Sequence, residues 1–440
     1  MRRIILPALV ALAAGLAPAR ADVTLFQNVR VFDGVSPSLS APTDVLVRDR
    51  LIERVGPDTP APEGARVIDG AGHTLMPGLI DAHTHLIMST IGILELTTSD
   101  PNYPQLRAAA AAEDFLMRGF TTARDVGGPV FGLKAAIDRG FVVGPRIYPS
   151  GAMISQTSGH GDFRALAELP RADGELDFSE RHGYVAIADG RDEVLRRVRE
   201  QLMLGASQIK LMAGGGVTSD HDPLDVTQYT EDEMRAAVEA ATAWNTYITV
   251  HAYTPAAIRQ AIRAGVKVIE HGHLADADTA RLMAEQGIWW SMQPFLDDED
   301  ATPFPEGSSN RADQLTITDG TETAYALAKR HGVRLAWGTD TLFSARLAAR
   351  QGAQLAKMVR WFTPAEVLKM ATHDNAELLA LSGPRNPYPG RLGVVEQGAL
   401  ADLLLVDGDV LADISLLEDP AANLLVIMKD GTIYKNALGP

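Results

Sequence analysis

Two histidines stand two residues apart in Asp81-Ala82-His83-Thr84-His85, at the end of the apolar run TLMPGLIDAHTH. Alternate residues of an extended strand share a face, so both imidazoles can reach one metal ion. Four further apolar runs end in a residue of the same chemical kind. SQIKLMAGG carries Lys210, YITVHAY carries His251, VKVIEHG carries His271 and VRLAWGTD carries Asp340. Taken singly each has a plainer use: a hydrogen-bonded core histidine, or an aspartate that caps the next helix. Lys210 is costly to bury as an ammonium. Five runs with a ligand-type residue at the same end, in a chain with 11 histidines, point to a metal centre. The chain has no cysteine, which excludes disulfides, thiolate metal sites and a thiol nucleophile. Ligands are then His, Asp, Glu or a modified Lys, a set that suits Zn, Mn, Co or Ni. No GxSxG elbow signals a serine nucleophile.

These residues need a scaffold that brings eight strand ends together. Eight short apolar runs alternate with amphipathic helical stretches: TLMPGLIDAHTH, FTTARDVGG, GPRIYPSGAMIS, SQIKLMAGG, YITVHAY, VKVIEHG, IWWSMQP and VRLAWGTD. RDEVLRRVREQLMLGA and TEDEMRAAVEAATAWN have apolar positions at three- and four-residue steps. Thr363-Pro364-Ala365-Glu366 reads as a capping box with proline at the first helical position. The pattern predicts an α/β fold, a (β/α)8 TIM barrel over residues 76–389 with its chemistry at the C-terminal strand ends. A doubly wound open sheet is the rival, but GGPVFG and AGGG lack the dinucleotide spacing. Both ends of the chain are β-rich, residues 22–75 and 390–440. They predict one small composite β-sandwich domain, with a hairpin turn at Lys429-Asp430-Gly431-Thr432.

Residues 1–21 read as a signal peptide. Arg2 and Arg3 precede the apolar run Ile4 to Leu16, and Ala19-Arg20-Ala21 offers a small-x-small cleavage site before Asp22. A secreted or periplasmic protein follows. The formal charge of −16 becomes three units more negative without Arg2, Arg3 and Arg20. So acidic a body argues against nucleic acid or an anionic membrane as partner. No later run is long enough to span a bilayer.

The motifs MPGLIDAHTH, Lys210 on the fourth run, His251 and His271 on the fifth and sixth, GTD on the eighth and GALADLLLVDGD near the end resemble the amidohydrolase superfamily in family order. The resemblance spans essentially the whole mature chain. It implies two divalent metals, zinc above all, bridged by Lys210 after N-carboxylation by CO2. His83, His85 and Asp340 would hold the buried metal, and His251 and His271 the more exposed one. Two metals about 3.5–4 Å apart activate a shared water for attack on an amide carbonyl, and Asp340 carries its proton to the leaving nitrogen.

Within the superfamily the sequence looks most like the branch of Xaa-Pro, Xaa-Arg and Xaa-Lys dipeptidases, carboxypeptidase-like enzymes and ochratoxin-hydrolysing amidases. GAMISQTSGHGD, KLMAGGGVTSDHD and Gln228-Tyr229-Thr230-Glu231 carry that likeness. The substrate it implies is a small amide, dipeptide or N-acyl amino acid with a free carboxylate. His160 would contact the scissile carbonyl or that carboxylate, Tyr229 the carboxylate, and His221 lies in the same loop region. SGHG as a plain turn and Tyr229 as a packing residue are the simpler readings. His73, His182, His273, His331 and His373 are left as structural or surface residues. The branch also implies a homo-oligomer, with octamers among the sizes. Competing functions are a one-metal imidazolonepropionase-like cyclic amidohydrolase or deaminase, which Lys210 opposes, and a lactonase or phosphoesterase on the same metals. A non-catalytic assembly protein is opposed by the complete ligand set. The stretch FLDDEDATPFPEGSSNRADQL reads as a lid or wall. Its acids Asp297, Asp298, Glu299 and Asp300 would either favour basic substrates or form a solvated acidic loop.

Overall fold

The computed structural model describes residues 22–171, 174–219 and 221–439. The leader expected at residues 1–21 lies outside them. Each of the eight apolar runs contains one strand of a (β/α)8 barrel: Leu79–Thr84, Phe120–Asp125, Arg146–Pro149, Ile209–Met212, Ile248–Ala252, Val268–His271, Trp289–Met292 and Arg334–Trp337. The ladders joining strands one to three and four to eight are parallel, as helical crossovers demand. Two seams are closed by other means. Between the third and fourth strands, Ser207 N–H donates to Pro149 O at 2.8 Å, and the short strand Met153–Ser155 meets the fourth at Ile154 and Leu211. Between the eighth and first, Asp340 N–H donates to His83 O at 2.9 Å. Buried Asn375 splices the same seam. Its side chain accepts from Trp337 N–H (3.0 Å) and donates to Trp337 O (2.9 Å) and Ile80 O (2.7 Å).

Two runs that read as single strands are divided. In TLMPGLIDAHTH, Thr74–Pro77 belongs to the terminal sheet and Leu79–Thr84 to the barrel. Gly78 lies between them, where a β-carbon would fall 2.2 Å from Thr121 Oγ1. In GPRIYPSGAMIS the chain breaks at Gly151, whose φ of +77° suits glycine. Beyond the break Met153–Ser155 also pairs with Val185–Ile187, a strand the alternation did not reveal.

The expected helices form. Arg191–Leu204 ends at Gly205 with φ +103°, a left-handed C-terminal stop. Thr230 and Glu233 form a reciprocal capping box on Glu231–Ala243, and Thr363 and Glu366 do so on Pro364–Lys369. The last part of FLDDEDATPFPEGSSNRADQL is helical, inside Ser309–His331. Among the described residues no helix is long and apolar enough to cross a membrane.

The two ends of the chain build one connected sheet. Its order is Thr432–Asn436, Leu424–Lys429, Leu403–Val406, Thr74–Pro77, Val23–Val31, Thr43–Arg48 and Leu51–Gly56, with Arg66–Asp69 also against Val23–Val31. The sandwich expectation takes this form: two half-sheets share Val23–Val31 and enclose Phe26, Val45, Leu75, Leu403, Leu405 and Met428. Asp430 and Gly431 both have positive φ (+53° and +75°), the requirement of the hairpin turn predicted there.

Candidate metal centre and substrate cavity

Strand alternation turns His83 and His85 to the same side, and the loop after the eighth strand brings Asp340 across. Asp340 Oδ1 lies 3.1 Å from His83 Nε2 and 3.2 Å from His85 Nε2. One ligand atom from each of the three fits within 4.8 Å of the others. Gly338 permits the approach, because a β-carbon there would fall 2.5 Å from His83 N. Asp340 and His271 both have left-handed backbones (φ +51° and +71°). Such conformations are unfavourable for these residue types and concentrate at functional sites.

The far side of each imidazole is tied down. His83 Nδ1 faces Glu270 Oε2 at 2.8 Å. His85 Nδ1 donates to Gly127 O at 3.1 Å, His251 Nε2 to Gly215 O at 3.0 Å and His271 Nδ1 to Gln293 Oε1 at 2.8 Å. Each bond fixes a tautomer whose other nitrogen keeps its lone pair, the arrangement metal ligation needs. His83 Nε2 is buried and makes no well-aligned hydrogen bond among the described residues, although Asp340 Oδ1 is 3.1 Å away, and a cation would satisfy both. The donor set therefore fits a divalent metal.

Lys210 is 1% exposed and faces the same cavity. Among the described residues it has no ion-pair partner, and burial pushes its amine down to about 8. A neutral amine is the form that reacts with carbon dioxide. Asp340 is the opposite case. Burial raises its carboxyl, but His83, His85 and His271 outweigh that and hold it well below the usual range.

Behind the histidines lies a buried pair that sequence reasoning missed. Arg124 Nη2 donates to Glu270 Oε1 at 2.6 Å, and both side chains are 0% exposed. Thr249 Oγ1 donates to the same carboxylate oxygen. The signal was present in FTTARDVGG and VKVIEHG: a charge inside an apolar strand has to find a buried partner. Asp81 is a second such group. It accepts from His83 N–H, Thr339 N–H, Thr339 Oγ1–H and Gln351 Nε2–H at 2.7–3.1 Å.

His160 reaches the cavity, stacked on His251 with ring centroids 4.0 Å apart. Its Nδ1 contacts Asp222 Oδ2 at 3.0 Å and Ser219 Oγ at 2.7 Å. Gly216 makes room, since a β-carbon there would lie 1.9 Å from His160 Cε1. His221 is not brought in: it is exposed and outside the cavity wall, and its buried neighbour Asp222 carries the loop's contact instead. Tyr229 is also outside the wall. Its backbone turns through φ +59°, its side chain sinks into the main apolar core, and its hydroxyl has no partner among the described residues. Tyr253 stands where a phenol was expected. It lines the cavity and stacks on His271 at 5.1 Å. Two residues beyond His251, it shares that histidine's face, which was the signal available in the sequence. His273, left as a structural residue, packs at the same end and donates Nε2–H to Gln293 O (2.9 Å).

His83, His85, His160, Lys210, His251, His271, Tyr253 and Asp340 thus meet in one cavity of about 130 Å³. That is room for about four waters.

Residues 74–434 match the Amidohydrolase family. Ochratoxinase of Aspergillus niger is 33% identical over 412 residues, spanning 90% of this chain and 84% of that protein. A solved amidohydrolase structure has a TM-score of 0.85 and 37% identity, covering 95% of this chain and 100% of the other. A prolidase complexed with N-methylphosphonate-L-proline has a TM-score of 0.84 and 34% identity, covering 94% of this chain and 100% of the other. The matched length takes in the strand that starts the metal site and the strands that close the terminal sheet, and on it the chain belongs to the amidohydrolase family.

Proposed function

We propose that this protein is a binuclear metal amidase that hydrolyses small dipeptides or N-acyl amino acids with a free carboxylate. One observation carries the reading: a buried lysine, without an ion-pair partner among the described residues, faces the same cavity as His83, His85, Asp340, His251 and His271. His83, His85 and Asp340 would hold one metal and His251 and His271 another, and Lys210, once carboxylated by CO2, would supply an anionic ligand to them. Bound there, two zinc-type ions supply Lewis-acid activation of water and of the scissile carbonyl. The likeness to a prolidase and an ochratoxinase supports an amide as the substrate.

The chain's own residues divide the remaining work. Asp340 Oδ1 faces both strand-one histidines, which leaves Oδ2 to take a proton from the attacking water and pass it to the leaving nitrogen. Asp222 holds His160 Nδ1 and leaves Nε2 toward the cavity. Nε2 of that ring meets the scissile carbonyl or the substrate's carboxylate. Tyr253, rather than Tyr229, offers its hydroxyl to the carboxylate. A homo-oligomer is part of the same reading.

The test incubates protein beginning at Asp22, with zinc and bicarbonate, with a library of dipeptides and N-acyl amino acids. Released amino acids are read by mass spectrometry, with Asp340→Asn as the blank. Release confined to the unmodified enzyme is expected. No release from protein holding two metals per chain would move the reading to lactones, cyclic amides or phosphoesters. Residues 1–21 are taken as a cleaved leader, so N-terminal sequencing of exported protein should begin at Asp22.

A further inference from the structure

The four acids after the seventh barrel strand do not make an acidic site. Asp297 pairs with Arg311 at 2.8 Å, Asp298 with Lys357 at 2.7 Å and Glu299 with Arg350 at 3.0 Å. Asp300, its side chain 6% exposed, pairs with both Lys357 (2.6 Å) and Arg350. Arg346 adds a bond from its guanidinium to Glu299 O at 3.2 Å. Asp298 and Asp300 stand in the cavity wall, and each is paired with Lys357 or Arg350 where a substrate would meet it. Phe163, Val217, Phe295, Leu296, Phe304 and Phe343 give that wall large apolar surfaces, beside the uncharged polar residues Thr218, Thr302, Gln314 and Thr318. Three of the apolar residues come from the acid-bearing segment itself. The ion pairs therefore fasten a segment that presents Phe295, Leu296 and Phe304 to the cavity and whose acids there are already paired.

We infer that this ionic strap makes the segment the apolar wall of a specificity pocket, so that the site takes bulky apolar side chains or acyl groups and rejects basic ones. The inference rests on the amidase reading above and narrows its substrate class. A lysine or arginine side chain entering the pocket gives up its hydration and finds no unpaired carboxylate in return. An apolar side chain loses nothing of that kind and gains the phenyl contacts. Specificity is the difference between the two.

Lys357 is the residue on which the selection turns. Lys357→Met keeps the length of the side chain and removes its charge, leaving Asp298 and part of Asp300 unbalanced at the wall. Hydrolysis of N-acetyl-phenylalanine, -leucine, -lysine and -arginine should show the unmodified enzyme at least about 100-fold better in kcat/KM on the first two, the order that a mismatched buried polar group imposes. In Lys357→Met the ratio should narrow by about tenfold or more, with KM rising for the apolar pair and falling for the basic pair. Calorimetry with Asp340→Asn, which does not turn over, reads the same preference as binding. It keeps the question separate from whether these compounds are substrates at all: absent hydrolysis with preferential binding of the apolar pair would count against the amidase reading alone. Should Lys357→Met fold poorly, Phe304→Ala tests the wall directly and should weaken only the apolar pair. Equal or better binding of the basic compounds by the unmodified protein, or equal shifts for both classes in either variant, would overturn the inference.

Discussion

Replacing Glu270 by Gln tests whether the buried pair behind the histidines governs metal binding. Arg124 Nη2, His83 Nδ1 and Thr249 Oγ1 converge on one carboxylate, at 2.6 and 2.8 Å for the first two. A carboxamide has one acceptor oxygen where the carboxylate has two. If that oxygen faces Arg124, the amide NH2 meets His83 Nδ1. His83 must then accept at Nδ1 and carry its proton on Nε2, the atom aimed at Asp340 and the metal site. Changing a partner that orients a ligating histidine typically costs about 10–100-fold in metal affinity. Stability falls as well. Breaking a fully buried ion pair costs about 3–5 kcal/mol, and the lower end applies because Gln still gives Arg124 one neutral hydrogen bond. Glu270→Gln should thus lose about 3 kcal/mol in denaturant unfolding and bind zinc at least tenfold more weakly in chelator competition. Unchanged metal affinity together with an unchanged unfolding midpoint would refute the role assigned to Glu270.

Gly216→Ala puts a methyl where the His160 ring lies; losing the hydrogen bond to Asp222 is worth about 1.5–3 kcal/mol, so kcat/KM should fall roughly 10–100-fold with the circular dichroism spectrum unchanged. Asn375→Leu strands Ile80 O, Trp337 O and Trp337 N–H; at about 1–3 kcal/mol per buried group, urea unfolding should show a loss of at least 3 kcal/mol, and a loss under 1 would remove Asn375 from the seam. The strap should respond to acid. Burial raises the Asp300 carboxyl, but Arg350 and Lys357 bring it below the usual value, so its contribution is complete above about pH 4 and is lost as pH falls through the lowered value. Limited proteolysis between residues 295 and 308 should accelerate at pH 3 relative to pH 6, and in Arg350→Met the two rates should converge.

The convergence of the candidate metal ligands was legible because it obeys short-range rules. Strand alternation turns His83 and His85 one way, and a parallel barrel delivers every strand end to one mouth, so Lys210, His251, His271 and Asp340 had to assemble there. What the sequence hid depends on loops and distant partners. Tyr229 follows the loop after the fourth strand, and only the structure shows that its left-handed backbone accompanies a side chain sunk in the core rather than in the cavity. Asp222 rather than His221 faces inward because Gly216 N–H, Gln228 and His160 all bond its carboxylate. The acidic stretch could not be read as neutral, since its cations Arg350 and Lys357 stand about fifty residues further on. Glu270 and Arg124 were readable as a burial problem but not as each other's solution.

The strand Thr74–Pro77 has Val23–Val31 on one side and Leu403–Val406 on the other, in register from Leu403 with Pro77 to Val406 with Thr74. It runs through Gly78 straight into the strand that bears His83 and His85. During synthesis that neighbour emerges more than three hundred residues later. Until then one edge of Thr74–Pro77 lacks its partner and the terminal sheet stays open, a contact of long sequence separation that forms late. The first metal-bearing strand is therefore anchored from behind only once the whole polypeptide has left the ribosome. On the proposal that residues 1–21 are an export leader, that delay keeps the chain threadable until translation is finished.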